Sequence, residues 1–203
     1  MIKIIGIVLV LMLACSNVYG DMAIGVKVSP ATLYEQRGDS PYAGNTVCDT
    51  EEAIGFYVKW MRDTFVARLD YTRHETGNTL QNSIAPIPYE EIDVTQQDVM
   101  LYVGKEWNNG LYLLGGAGIV FNDLYIEGYA ANPFTYETKN SLAHSVIVGF
   151  NRELHQDWRW FVEGRYIWNS MDVDLEYLLT PASVNVTEDM DNGGVFFGLE
   201  YRF

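Results

Sequence analysis

The stretch Gly193–Phe203, GGVFFGLEYRF, decides the fold of this 203-residue chain. Val195, Phe197, Leu199, Tyr201 and Phe203 alternate with Gly194, Phe196, Gly198, Glu200 and Arg202. In an extended chain successive side chains point to opposite sides, so the first set shares one face and the second set the other. One face is wholly apolar, and the other mixes glycine, charge and a single Phe.

The same period recurs along the chain. Alternating segments cover 21–30, 53–61, 64–75, 94–107, 111–122, 141–151, 158–169 and 193–203, each with a greasy face and a mixed face. In the first, Met22, Ile24, Val26 and Val28 oppose Ala23, Gly25, Lys27 and Ser29. The seventh sets Trp158, Trp160, Val162, Tyr166 and Trp168 against Arg159, Phe161, Glu163 and Arg165. Leu114, Val120 and Ile147 break the polarity of their segments but not the period, and Lys105 blurs the fourth, where it is expected at a membrane edge. Connections alternate in length. Three are tight, at 62–63, 108–110 and 152–157, and four are long, at 31–52, 76–93, 123–139 and 170–192. Asn109-Gly110 is a favoured hairpin pair because both residues tolerate positive φ.

The other end of the chain reads as an export signal. Lys3 precedes eleven uncharged, mostly aliphatic residues, Ile4 to Ala14, too few for the roughly 20 of a spanning helix. Residues 1–20 are therefore expected to be a cleaved signal peptide, with Val18 and Gly20 at the selective small positions, leaving 21–203 as one domain. Met12-Leu13-Ala14-Cys15 offers a rival lipoprotein box in which Cys15 becomes the acylated first residue. After cleavage at Gly20, Cys48 stands alone and no internal disulfide can form. With no spanning helix, a membrane location requires a closed barrel whose backbone hydrogen bonds are satisfied between strands.

The last strand resembles the closing strand of bacterial outer-membrane β-barrels. Together with the leader and the eight segments, it makes the chain similar to the small barrels of the OmpA, OmpX and OmpW type. The resemblance implies an all-β, eight-stranded antiparallel transmembrane barrel in the outer membrane of a Gram-negative cell, with short periplasmic turns and long extracellular loops. It also implies that Phe197, Leu199, Tyr201 and Phe203 form the signal read by the barrel assembly machinery. No periplasmic domain is expected after Phe203, a departure from the longer members.

Polarity separates this reading from a soluble eight-stranded carrier. Trp60, Trp107, Trp158, Trp160 and Trp168 all fall on the apolar phase near expected strand ends, where an interfacial aromatic girdle belongs. The complementary phase carries Lys27, Lys59, Arg68, Asp70, Glu106, Glu163, Arg165, Glu200 and Arg202. Facing lipid, each midplane cation would cost roughly 2–4 kcal/mol, so these charges are expected to pair in the lumen. Tyr57, Tyr102, Tyr112, Phe161 and Phe196 share that phase and would help to fill a lumen only wide enough for side chains.

The long connections hold seventeen acids against Arg37 and Lys139, whereas the remainder has eleven basic and ten acidic residues. The net charge of −14 therefore resides in the expected extracellular surface. This argues against nucleic acid and against anionic lipid on that side. Arg37-Gly38-Asp39-Ser40 spells an integrin-type tetrapeptide, and Asp172, Asp174 and Glu176 alternate like cation ligands. Both patterns are short and common in solvated segments, so no metal and no cofactor is expected. Lipid A deacylases among small barrels place a His and a Ser two positions apart on the lipid-facing side, but His144 and Ser145 are adjacent and point to opposite faces. No catalytic residue is assigned. The expectation is a monomeric surface protein in contact with outer-membrane lipid and lipopolysaccharide. It would act through its acidic loops on an extracellular protein partner, in adhesion, host or phage contact, or envelope integrity. The alternatives are a narrow channel for small or apolar solutes and, after that, a lipid A-modifying enzyme.

Overall fold

The structure, a computed structural model, describes residues 21–38, 46–50, 52–80, 90–127, 134–177 and 183–203. The expected leader and the rival Cys15 site lie outside these residues. Twelve strands follow one another: β1 (Asp21–Ser29), β2 (Thr32–Gly38), β3 (Thr46–Thr50), β4 (Glu52–Arg62), β5 (Phe65–Leu80), β6 (Glu90–Glu106), β7 (Leu111–Glu127), β8 (Phe134–Thr138), β9 (Ser141–His155), β10 (Trp158–Trp168), β11 (Ser170–Tyr177) and β12 (Ser183–Arg202). No helix occurs among the described residues.

Eight of the strands close a barrel in the order β1-β4-β5-β6-β7-β9-β10-β12, antiparallel throughout. Closure joins β12 to β1 with Ala23 opposite Arg202 and Val28 opposite Phe197. These strands contain the eight alternating segments. About 9–11 tilted residues cross a bilayer, which matches β1, β4 and β10 with 9, 11 and 11 residues. By contrast, β5, β6, β7, β9 and β12 have 15 to 20. Their surplus length, apart from the periplasmic end of β9, projects beyond the apolar band on the side of the long connections.

That projection corrects the expected loops. Much of 31–52, 76–93, 123–139 and 170–192 is strand: β5 runs on to Leu80, β6 starts at Glu90, β7 reaches Glu127, and β2, β3, β8 and β11 are extra. The upper part of β12 pairs with β11 through Ser183–Asp189 and with β2 through Glu188–Gly194. The physical reason is visible in β11, where Met171, Val173, Leu175 and Tyr177 alternate with Asp172, Asp174 and Glu176. Acids spaced by two are the strand period itself. Among the described residues no group of three metal-ligating side chains assembles. Of the integrin-type tetrapeptide, Arg37 and Gly38 end β2, and Asp39 and Ser40 lie outside the described residues.

The tight turns also differ in detail. Between β6 and β7 only Gly110 has positive φ, at 89°. The Gly110 amide donates to the Trp107 carbonyl at 2.8 Å, and the Leu111 amide donates to Asn109 Oδ1 at 3.2 Å. This is a type I turn followed by a left-handed glycine, and Asn109 needs no positive φ. The expected turn at 152–157 shrinks to Gln156-Asp157, because β9 continues to His155 through a bulge opposite Trp158 and Arg159.

The outward wall is apolar and bare. Val26, Ile54, Val148 and Leu142 are 58–83 % exposed, Leu142 the most at 83 %. A continuous apolar surface of this extent exceeds what a monomer presents to water, and lipid is the solvent that removes the cost. Two outward positions, Met22 and Val58, are nevertheless covered; Met22 stands in register with the large Trp60 ring.

Candidate functional site

The lumen holds an apolar cluster and a charged one. Met61, Val66, Met100, Leu114, Val120 and Ile147 form the apolar cluster, which explains why Leu114, Val120 and Ile147 break the polarity of their segments: they face in. The charged cluster is built by β1, β4, β5, β6, β10 and β12. Seven of the nine expected lumen charges, Lys27, Lys59, Arg68, Asp70, Glu163, Arg165 and Glu200, are buried, and Glu106 and Arg202 sit at the short-turn mouth with side chains 11 % and 20 % exposed.

The charges form three tiers. At the short-turn mouth Lys59 bridges Glu106 at 3.0 Å and pairs closely with Glu200. Arg202 binds Glu106 at 2.6 Å and Glu200 at 3.0 Å. Arg159 flanks the tier 3.6 Å from Glu106. In the middle, Arg68 donates to Glu163 at 2.7 and 2.9 Å and pairs closely with Asp70, while Lys27 lies 2.8 Å from Asp70 and 3.4 Å from Glu163. In the upper tier Arg165 binds Asp98 at 2.9 Å and Thr72 at 2.8 Å, and His74 lies 3.0 Å from Asp98. Five cations thus meet five carboxylates, with Arg159 as a sixth at the rim.

Aromatic side chains tie the tiers together. The Tyr57 hydroxyl donates to Glu200 at 2.8 Å while its ring lies 3.7 Å beneath the Arg68 guanidinium. Tyr112 donates to Glu163 at 2.8 Å. The Phe196 ring stands between Lys27 and Arg165, 4.7 and 4.8 Å from its centroid. Such contacts add cation–π attraction where water is excluded. The rings lie over inward-facing glycines: a Cβ on Gly149 would collide with the Tyr112 ring, and one on Gly25 with Tyr57. Because Glu163 holds Tyr112, Gly149→Val is expected to cost about 1–3 kcal/mol through overpacking, measured by urea unfolding in lipid; an unchanged midpoint would show that the ring moves freely.

Between the lower and middle tiers is a cavity of about 10 Å³, room for about one water, bordered by Lys59, Arg68, Glu106, Asn151 and Glu200. Above the upper tier Gln96 donates to Asn122 at 2.9 Å and accepts from Asn192 at 3.2 Å, which places an amide cluster across that end.

Two members, Asp98 and His74, are absent from the expected network. Asp98 lies on the same phase as Met100 and Tyr102, and His74 on that of Arg68, Asp70 and Thr72, so the alternation carries the signal. The five tryptophans all project outward, with Trp60, Trp107, Trp158 and Trp160 at the short-turn edge and Trp168 alone at the other. His144 is exposed and stacks on Trp168, their centroids 5.2 Å apart. Ser145 is buried and bonds Tyr102 at 2.9 Å. Phe197, Leu199 and Phe203 of the expected assembly signal are exposed on the outer wall, and Tyr201, half-buried, packs its ring 5.1 Å from that of Phe203.

The architecture defines a class: an eight-stranded β-barrel of the outer membrane, with a polar, filled interior and an apolar exterior. Solved structures share it. Across 91 % of this chain, OprG from Pseudomonas aeruginosa matches over 96 % of its own length with TM-score 0.56 and 17 % identity. Outer membrane protein AlkL, solved in lipid bilayers, matches over 90 % of its length with TM-score 0.56 and 18 % identity. Neisserial surface protein A matches over 99 % of its length with TM-score 0.54 and 10 % identity. At these identities the likeness is one of fold. No protein-family profile matches the chain, and no curated protein matches it in sequence.

Proposed function

We propose that this is a non-conducting, non-catalytic surface protein whose barrel is a rigid pedestal for an acidic extracellular sheet that contacts a protein partner in adhesion, host or phage contact, or envelope integrity. The carrying observation is the set of three tiers of paired charge that crosses the lumen. Opening a path would require separating pairs that include Arg68–Glu163 and Arg165–Asp98, and unpaired buried charge is expensive. The upper parts of β5, β6, β7 and β12, with β2, β3, β8 and β11, raise the acid-rich segments above the membrane on a hydrogen-bonded frame. A rigid display lowers the ordering cost of binding. The opposed directions of His144 and Ser145 favour the non-catalytic reading. The face ending in Phe203 serves, in the same reading, as the assembly signal.

Planar bilayers test it. Purified protein is expected to give no steady conductance above the lipid background; reproducible, well-resolved channels would replace this reading with that of a narrow channel.

A further inference from the structure

At its periplasmic edge the outer wall carries charge of one sign. Arg62, Lys105 and Arg152 occupy the outward phase there and are exposed. The acids at this height differ: Glu106 and Glu200 point into the lumen, Asp21 and Glu153 are in register with the inward-phase Met61 and Arg159, and Asp63 and Asp157 lie in the turns. The lumen cations are all paired, but among the described residues Arg62, Lys105 and Arg152 form no ion pair.

Register brings two of them together. Arg62 is opposite Phe65, and Phe65 is opposite Lys105. With adjacent strands about 4.8 Å apart, the two Cα atoms are separated by about 10 Å. Long basic side chains lay their methylenes on apolar surface and turn their charge to the headgroups, so both heads reach a single phosphate above Phe65. Phe65 is 52 % exposed, and Trp107, 45 % exposed, stands at the adjoining turn. A cation pair astride an aromatic ring, at the level of an interfacial girdle, matches a headgroup of net negative charge, with no ammonium beside its phosphate, whose acyl chains lie along the wall.

We propose that the Arg62–Phe65–Lys105 face binds the phosphate of an anionic phospholipid in the periplasmic leaflet. The proposal is independent of whether the barrel conducts.

The test reconstitutes the full chain in phosphatidylcholine vesicles and compares tryptophan quenching by bromine-labelled phosphatidylglycerol and bromine-labelled phosphatidylcholine at low salt. About 1 kcal/mol per basic residue near a membrane surface corresponds to about a fivefold effect, so wild type is expected to prefer the anionic lipid by about three- to tenfold. Arg62→Gln with Lys105→Gln should remove most of that preference, and Arg62→Lys should keep it. Lys105→Gln alone, which should weaken it part-way, serves if the double variant does not assemble. Equal quenching by both lipids in wild type, or a preference that survives loss of both cations, overturns the proposal.

Discussion

Arg68→Met is expected to destabilise the barrel by about 3–5 kcal/mol, the usual penalty for stripping one partner from a buried ion cluster. Arg68 is 1 % exposed and is the shared partner of Asp70 and Glu163, with its guanidinium over Tyr57. Without it Lys27 alone faces two buried carboxylates. Adding Glu163→Gln to Arg68→Met removes the stranded charge and should recover part of the loss, a non-additivity typical of residues in one network. Reversible urea unfolding in lipid measures both steps. Equal stability of wild type and Arg68→Met would show that the tiers carry no net energy.

Phe197→Arg is the second large effect. Phe197 is 46 % exposed on the outer wall, between Val28 of β1 and Val162 of β10. A guanidinium near the bilayer midplane costs roughly 2–4 kcal/mol, falling to about 0–1 toward the interface. Leu199→Arg, two residues closer to the Tyr201 level, should therefore be milder. The same unfolding assay ranks the two, and a neutral Phe197→Arg would exchange inside and outside.

Much of this division is legible in the residues themselves. A strand shows its two solvents directly, so Lys27, Arg68, Glu163 and Glu200 are assigned inward and Val26, Leu199 and Trp158 outward without coordinates. The alternation also contains Asp98 and His74, which lie on the inward phase of Tyr102 and of Asp70. Partnership is a different matter. Arg68 meets Glu163 across 95 positions of chain, and Arg165 meets Asp98 across 67, through a register that one-dimensional pattern does not encode. The upper sheet reads as loops because its segments are acid-rich and lack a greasy face, and it is pairing with neighbours, β5 with β6, β6 with β7, β11 with β8 and β12, and β2 with β3 and distant β12, that makes them strands.

The double engagement of β12 has a consequence in time. Its lower half seals the barrel against β1, joining residues 23 and 202, and its upper half is the template for β2 and β11. Contacts as remote in sequence as those with β1 and β2 form late and slowly, so neither the wall nor the β2 part of the surface sheet can mature before this one strand docks, whereas β11 pairs with it as a local hairpin. β12 acts as a keystone: the sheet above the barrel and the seal of the wall are completed by a single strand.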